Sequence, residues 1–191
     1  MNSHRQTTKN GFTLVEILVS MSIFVILVAL VFANYRYGNS AQNLEQAPRE
    51  LQAKLRFVQN LALTGKDYDG TTVPPAYGIH FSYPGGSEFI TFADTNDDKL
   101  YIQGTDTILE TITMPNKVTM ASCEEPPVQT CDTQQSCQCD IIFTAGDASI
   151  FIKQQPAADA NAKVTFESGV TGKQKTVVVN AQSGIIELGN E

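Results

Sequence analysis

Residues 9–35 read KNGFTLVEILVSMSIFVILVALVFANY, an apolar run that a single acidic residue, Glu16, interrupts. The 22 residues from Phe12 to Ala33 carry no other charge. A helix of this length measures roughly 33 Å, which is enough to cross the hydrocarbon core of a bilayer. An ionisable side chain inside such a helix is costly in lipid, so we expect Glu16 to serve a function.

The charges around this segment predict its orientation. The preceding residues, MNSHRQTTKNG, include Arg5 and Lys9 and no acidic residue. Basic residues stay on the cytoplasmic side, so we expect an N-in orientation with the remaining ~150 residues outside the cytoplasm. The formal net charge of −7 disfavours broad nucleic-acid binding, because an acidic surface repels phosphates.

The hexapeptide Gly11-Phe12-Thr13-Leu14-Val15-Glu16, behind Lys9 and ahead of the apolar run, resembles the type IV prepilin signal. That family contains the pilins of type IV pili and the pseudopilins of type II secretion. The resemblance implies processing at Gly11 and Phe12: a prepilin peptidase removes the leader 1–11 and methylates Phe12, giving N-methylphenylalanine. It also implies an inner-membrane precursor, an extracellular or periplasmic filament, an inner-membrane assembly platform, and other pilin or pseudopilin subunits as partners.

The same resemblance offers a role for the glutamate. Cleavage would give Phe12 a cationic amine, four residues before Glu16. The amine of one subunit and the carboxylate of a neighbour can neutralise each other inside an apolar bundle. Breaking a buried pair costs about 3–5 kcal/mol, so Phe12 and Glu16 are the expected assembly residues and set the axial register.

The helical pattern continues beyond the apolar segment. Apolar residues recur at intervals of three or four, at Leu44, Ala47, Leu51, Leu55, Val58 and Ala62. Gly65 is a predicted C-cap, and Pro48 either kinks the helix or begins a second one. We predict one long helix from Phe12 to Thr64, with a transmembrane and assembly half (12–35) and an amphipathic half (36–65).

Residues 66–191 have a different period and predict a β-rich head. Short alternating segments rich in Val, Ile, Thr, Phe and Tyr are separated by turn residues, and VNAQSGII is typical of a terminal hairpin. The segments are AYGIHFSY, EFITFAD, TILETITM, KVTMA, DIIFTA, SIFIKQ, AKVTFES, KTVVVNA and GIIEL. The predicted fold class is α+β, with the long helix packed on an antiparallel head as in pilins.

Two further stretches refine the resemblance. RELQAKLRFVQNLALTG and KTVVVNAQSGIIEL are similar to the corresponding parts of H-type minor pseudopilins and related minor pilins. Many major pilins have a proline late in the apolar segment, whereas no proline precedes Pro48 in this chain. This departure disfavours the bulk subunit of a filament.

Four cysteines, Cys123, Cys131, Cys137 and Cys139, lie in one polar loop, 123–139. Outside the cytoplasm such a cluster predicts two disulfides. Cys137 and Cys139 are too close in sequence to pair easily, which leaves 123–137 with 131–139, or 123–139 with 131–137. A zinc site is the alternative, but the spacing lacks paired C-x-x-C knuckles.

The segment FADTNDDKL has oxygen-bearing side chains at alternate positions, Asp94, Asn96 and Asp98. Such spacing begins EF-hand-like calcium loops, so calcium is the one cofactor that the sequence suggests. Lys99 stands in the place of the turn glycine and Thr105 in that of the bidentate glutamate. The alternative is a turn in which the side chains bond nearby amides.

Two other groups of polar residues bear on function. Lys153, Lys163, Lys173 and Lys175 suggest a local basic patch for DNA, but the favoured explanation is lysines that protect strand edges. His80 lies in an alternating strand, which favours a structural role. The chain has no G-x-S-x-G motif, no phosphate-binding glycine loop and no nucleophile with an evident base, so we do not predict an enzyme.

The combined prediction is a structural subunit of a type IV pilus or pilus-like filament. The alternatives are a minor pseudopilin of type II secretion, and a minor pilin at a filament tip that binds a surface, DNA or a secreted cargo.

Overall fold

The computed structural model describes residues 11–83, 86–124, 137–152, 155–156 and 161–189. The chain divides into two compact units between Asn39 and Ser40. The division falls within one helix, α1, which spans Leu14–Thr64. The predicted long helix is therefore confirmed, and Pro48 lies inside it rather than beginning a second helix.

Both ends of α1 have sequence-specific caps. The hydroxyl oxygen of Thr13 accepts the Glu16 amide N–H at 3.3 Å, as expected of an N-cap threonine. At the other end Gly65 has a φ of +57°, a conformation that glycine adopts without strain. The amides of Gly65 and Lys66 bond the carbonyls of Ala62 and Leu61, both at 3.3 Å, which is the Schellman pattern.

Two antiparallel sheets form in the unit that begins at Ser40. The six-stranded sheet has the order β3-β2-β1-β5-β6-β7 and the four-stranded sheet the order β10-β9-β8-β4. The strands are β1 Ala76–Tyr83, β2 Glu88–Asp94, β3 Thr107–Thr113, β4 Val118–Glu124, β5 Cys137–Thr144, β6 Ile150–Ile152, β7 Gln155–Pro156, β8 Asn161–Ser168, β9 Gln174–Asn180 and β10 Ile186–Gly189. The α+β class and the terminal β9–β10 hairpin are confirmed, whereas the two-residue β7 was not predicted.

The main core lies between α1 and the inner faces of both sheets. All six residues of the predicted helical stripe are buried within it, and Leu51, Leu55 and Val58 are fully inaccessible. They pack with large side chains from the strands, among them Phe81, Phe143, Phe166 and Val177. Burying each such Leu, Val or Phe side chain contributes about 1.5–3 kcal/mol, so the amphipathic half of α1 is a structural part of the head.

The outer face of the six-stranded sheet is also covered, by the loop that joins β2 to β3. Tyr101 from this loop packs its ring 5.1 Å from that of Phe92, in a small second core with Ala76 and Ile142. Gly78 makes room for this packing, because a Cβ added there would lie only 2.7 Å from the Phe92 ring and 2.8 Å from Ile142. Around Gly78 the sheet is thus apolar on both faces.

Gly78→Ala is expected to lower the free energy of unfolding by roughly 1–3 kcal/mol, because the added methyl group overpacks this second core. Thermal denaturation of the full chain in detergent measures the change. Gly169→Ala is the matched control, since its Cβ would meet only the Lys117 carbonyl oxygen, at an ordinary 3.5 Å. Equal melting temperatures for the two variants would contradict the account of Gly78.

Candidate functional site

The apolar segment of α1 is exposed along its whole length. Residues Leu14–Phe32 have a mean hydropathy of 2.8, and none of this stretch is buried within the chain. Apart from Val28, which is half-buried, its large apolar side chains expose half or more of their surface, from Ile17 at 51% to Leu14 at 79%. By length and composition the segment can cross a membrane, and an apolar surface of this size requires lipid or other apolar helices around it.

The candidate processing point lies just before this helix. Gly11 and Phe12 are exposed and precede the helical residues, so the peptide bond between them is held in no regular structure. The Glu16 amide also bonds the Thr13 carbonyl, at 3.1 Å, which places Glu16 at the third position of the first turn. A carboxylate there interacts favourably with the positive end of the helix dipole.

The hydroxyl groups within the apolar segment are satisfied by their own helix. Ser20 donates to the Glu16 carbonyl and Ser22 to the Leu18 carbonyl, both at 2.8 Å. A hydroxyl bonded in this way needs no partner from lipid or from another chain. Among the side chains described within Leu14–Phe32, Glu16 is therefore the one whose charge still has to be neutralised.

The cysteine loop is anchored by one disulfide between the two sheets. Cys123 on β4 bonds Cys139 on β5, with the two Cα atoms 6.3 Å apart. This bond belongs to the pairing 123–139 with 131–137, the second of the two that the sequence left open. Cys131, the remaining partner that this pairing assigns to Cys137, lies outside the described residues. Because β4 belongs to the four-stranded sheet and β5 to the six-stranded one, the disulfide ties the two layers together.

The predicted calcium residues form a turn bonded through its own amides. Asp94 is fully buried and accepts N–H bonds from Asp97 at 2.7 Å and Lys99 at 3.1 Å. The Asn96 side-chain amide donates to the Asp98 carboxylate at 2.8 Å. Asp97 and Lys99 have φ near +64° and +63°. Lys99 therefore adopts the left-handed conformation for which an EF-hand loop uses glycine.

Burial raises the pKa of Asp94, while the hydrogen bonds from the Lys99 and Asp97 amides oppose that rise. The ionised carboxylate is thus destabilised by its surroundings, and a bound cation would offset this cost. In the described ranges no three His, Cys, Asp or Glu side chains lie close enough together to hold a metal. Calcium binding stays a prediction.

Sequence reasoning missed two buried aspartates in this region. Asp106 closes the β2–β3 loop by accepting the amides of Thr95 at 3.1 Å and Ile102 at 2.7 Å. Asp140, fully buried, lies 2.6 Å from Nδ1 of His80. The partner of Asp140 depends on the β1–β5 register, which the sequence does not give. The only usable signal for Asp140 was therefore its polar character at the start of an apolar strand.

The structure places two of the four predicted lysines, Lys163 and Lys175, apart from each other. Phe166 pairs with Lys175 and Val178 with Lys163, and the side chains of successive residues alternate between faces. Lys163 and Lys175 therefore lie on opposite faces of the four-stranded sheet. Lys175 forms an ion pair with Glu45 at 3.0 Å, and Lys163 lies 4.0 Å from Glu124.

These two lysines do not form the single basic patch expected, because the register sends them to different faces. Lys173 is exposed in the turn between β8 and β9, and Lys153 lies outside the described residues. DNA binding stays a prediction. Lys163 and Lys175 do not support it with a shared surface.

Comparison with known proteins matches the N-terminal segment. Residues 7–32 match the prokaryotic N-terminal methylation motif, which is a type IV pilin-like prepilin signal. No curated protein and no solved structure matches the chain. The motif indicates a prepilin-processed structural subunit rather than an enzyme, and with the apolar helix it is consistent with a membrane-anchored precursor. The likeness to H-type minor pseudopilins stays a prediction.

Replacing Cys123 and Cys139 together by alanine is expected to lower the free energy of unfolding by about 3 kcal/mol, because the disulfide closes a loop of this length. Thermal denaturation of the oxidised full chain measures the loss. Alkylation of the native, unreduced protein followed by peptide mapping is the control. Free thiols at Cys123 and Cys139 would contradict the pairing.

If the Asp94 loop binds calcium, the metal should raise the melting temperature of the chelator-treated full chain. A ligand at 100 times its Kd stabilises by about 2.7 kcal/mol. Asp98→Asn should remove the rise, because it takes away one charged ligand without disturbing the buried Asp94. Asp147→Asn should retain the rise, since Asp147 makes a similar turn at another place. A melting temperature unaffected by calcium would reject calcium binding, and the loop would then serve only as a turn.

Proposed function

We propose that this protein is a structural subunit of a type IV pilus or pilus-like filament, cut after Gly11 and methylated on Phe12. The observation that carries the proposal is the match of residues 7–32 to the N-terminal methylation motif. It is supported by the exposed apolar helix that follows and by the single carboxylate in its first turn.

The leader and the apolar segment act in sequence. Arg5 and Lys9 hold the leader on the cytoplasmic side of the membrane, and Leu14–Phe32 crosses the bilayer. Residues 40–191 then fold outside the cytoplasm, where the Cys123–Cys139 disulfide is stable. Prepilin peptidase cuts on the cytoplasmic side, and the subunit leaves the membrane when its apolar surface finds other apolar helices in the filament.

Glu16 selects the position at which an incoming subunit docks. Cleavage creates an amine at Phe12, and a neighbouring subunit presents its own Glu16 carboxylate to that amine. In an apolar bundle each charge is costly alone, so only the register that pairs them is favourable. Apolar packing between helices tolerates many registers. The charge pair thus restricts that packing to one register.

A second candidate role within this class is a minor pilin or a minor pseudopilin of type II secretion. The observation that favours it is the absence of proline between Phe12 and Ala47 in the sequence. A helix without an interruption in its apolar part differs from the pattern of many major pilins. Abundance in the filament separates the two roles.

Mass spectrometry of filaments sheared from the native cell is expected to find chains that begin with methylated Phe12. Dominance of this chain would indicate a major pilin. Trace amounts beside another pilin would indicate a minor subunit, and recovery only in secretion-dependent periplasmic filaments would indicate a pseudopilin. Chains that begin at Met1 and stay in the membrane would overturn the proposal.

Glu16→Ala should leave cleavage unchanged but reduce incorporation into filaments by about 100-fold or more, because it strands the amine of the neighbouring subunit at a cost of roughly 3 kcal/mol. The ratio of filament to membrane protein measures the effect. Ser20→Ala is the matched control, since that hydroxyl bonds its own helix and should not affect incorporation. Normal incorporation of Glu16→Ala would exclude the charge pair.

A further inference from the structure

A serine, a histidine and an aspartate lie in line on the outer face of the six-stranded sheet. Nδ1 of His80 is 2.6 Å from Oδ1 of Asp140, and Nε2 of His80 is 3.4 Å from Oγ of Ser82. Asp140 is fully buried and His80 is 5% exposed, whereas Ser82 is exposed. This is the order in which a nucleophile, a base and an orienting acid are arranged in hydrolases.

The hydrogen bonds determine where the protons lie. Oδ2 of Asp140 accepts the Tyr101 amide N–H at 3.3 Å, so both carboxylate oxygens are placed as acceptors. Nδ1 of His80 therefore carries a proton and donates it to Oδ1. When the ring carries only this proton, its lone pair is on Nε2, which lies 3.4 Å from the Ser82 hydroxyl oxygen. Ser82 can donate its proton to this nitrogen, as general-base activation requires.

The surroundings fix the three side chains. His80 and Asp140 are direct partners in the β1–β5 register, and the Tyr101 ring packs 4.6 Å from the imidazole. Gly86 approaches the strand so closely that a Cβ there would lie 2.1 Å from the Ser82 carbonyl oxygen. The imidazole cannot turn away without losing the carboxylate, and Gly86 lies against the backbone of Ser82.

The arrangement is not what packing alone requires. The neighbouring positions on this face, Gly78 and Ile142, carry apolar residues and form the second core with Phe92. Apolar residues in place of His80 and Asp140 would extend that core without burying a carboxylate, and such replacements are often neutral or stabilising. A buried carboxylate that bonds an imidazole, with a hydroxyl at the second ring nitrogen, is the arrangement by which serine hydrolases activate a nucleophile.

We propose that Ser82 is a nucleophilic serine that accepts acyl groups from activated esters. Its Oγ attacks the ester carbonyl carbon while its proton moves to Nε2 of His80, and Asp140 stabilises the resulting imidazolium. The carbonyl–oxygen bond to the leaving group then breaks, and His80 returns the proton to the departing alkoxide or phenoxide. The products are O-acylated Ser82 and the free alcohol or phenol. Asp140 is a positioning residue, because it acts through His80.

The test is acetylation of the full chain, in a detergent without ester groups, by p-nitrophenyl acetate. Peptide mapping by mass spectrometry gives the acetylation rates at Ser82 and at Ser87, an exposed serine five residues further on. General-base assistance is worth about 10²–10⁴-fold, so Ser82 should react at least about 100-fold faster than Ser87 in the native protein. Similar rates at the two serines would overturn the proposal.

Variants then assign the roles. Ser82→Ala should abolish the fast acetylation, and His80→Gln should reduce it to the rate at Ser87. Asp140→Asn should lower the rate at Ser82 and leave that at Ser87 unchanged, with the melting temperature showing whether the head remains folded. Fast acetylation of Ser82 in folded His80→Gln would overturn the assignment of the base. If either variant unfolds, the comparison of the two serines in the native chain still decides the proposal.

Discussion

The burial of one stripe of helix α1 holds residues 40–191 together. Its apolar side chains fill the space between the two sheets, and its polar side chains reach sheet edges on both sides. The Gln52 amide donates to the Ile186 carbonyl on β10 at 2.8 Å, and the Gln59 amide to the Gly184 carbonyl at 3.2 Å. On the other side Lys54 pairs with Glu110 on β3 at 2.5 Å. Since β10 is an edge strand, the helix both supplies the core and, through Gln52, bonds a backbone carbonyl that could otherwise attract another strand.

The composition of α1 changes along its length because its surroundings change. From Leu14 to Phe32 the side chains are apolar on all sides of the helix apart from Glu16, Ser20 and Ser22, which suits lipid or a bundle of like helices. From Leu44 onward the apolar residues occupy one face and polar residues the other, as a soluble core requires. A continuous helix with two such patterns meets two environments, and this combination connects membrane anchoring to a folded head.

The periodicity of the sequence was enough to predict the helix, its buried stripe and most strands. The bounds of β1 and β2 agree with the predicted segments, because alternation and turn residues are local signals. Gly65 was predicted as a C-cap for the same reason. Alternation says nothing about which strand pairs with which, so the division into two sheets could not be predicted.

The features of the candidate sites that depend on strand register could not be predicted from the sequence. The choice between the two cysteine pairings required the placement of β4 and β5 in different sheets. The separation of Lys163 from Lys175 depends on the β8–β9 register, and the contact of His80 with Asp140 on the β1–β5 register. The residues of each pair are separated in sequence, so only the pairing of the strands determines whether they lie together or apart.

The cap on α1 has a consequence for maturation. The residue that caps the start of the helix is Thr13, which lies on the mature side of the Gly11–Phe12 bond. The described hydrogen bond that caps the helix therefore joins two residues of the mature chain, Thr13 and Glu16. Under the proposed processing, Arg5 and Lys9 would be lost and an amine would be placed at Phe12, four residues before Glu16. Cleavage would then act as an electrostatic switch at a helix end whose cap is made by residues of the mature chain.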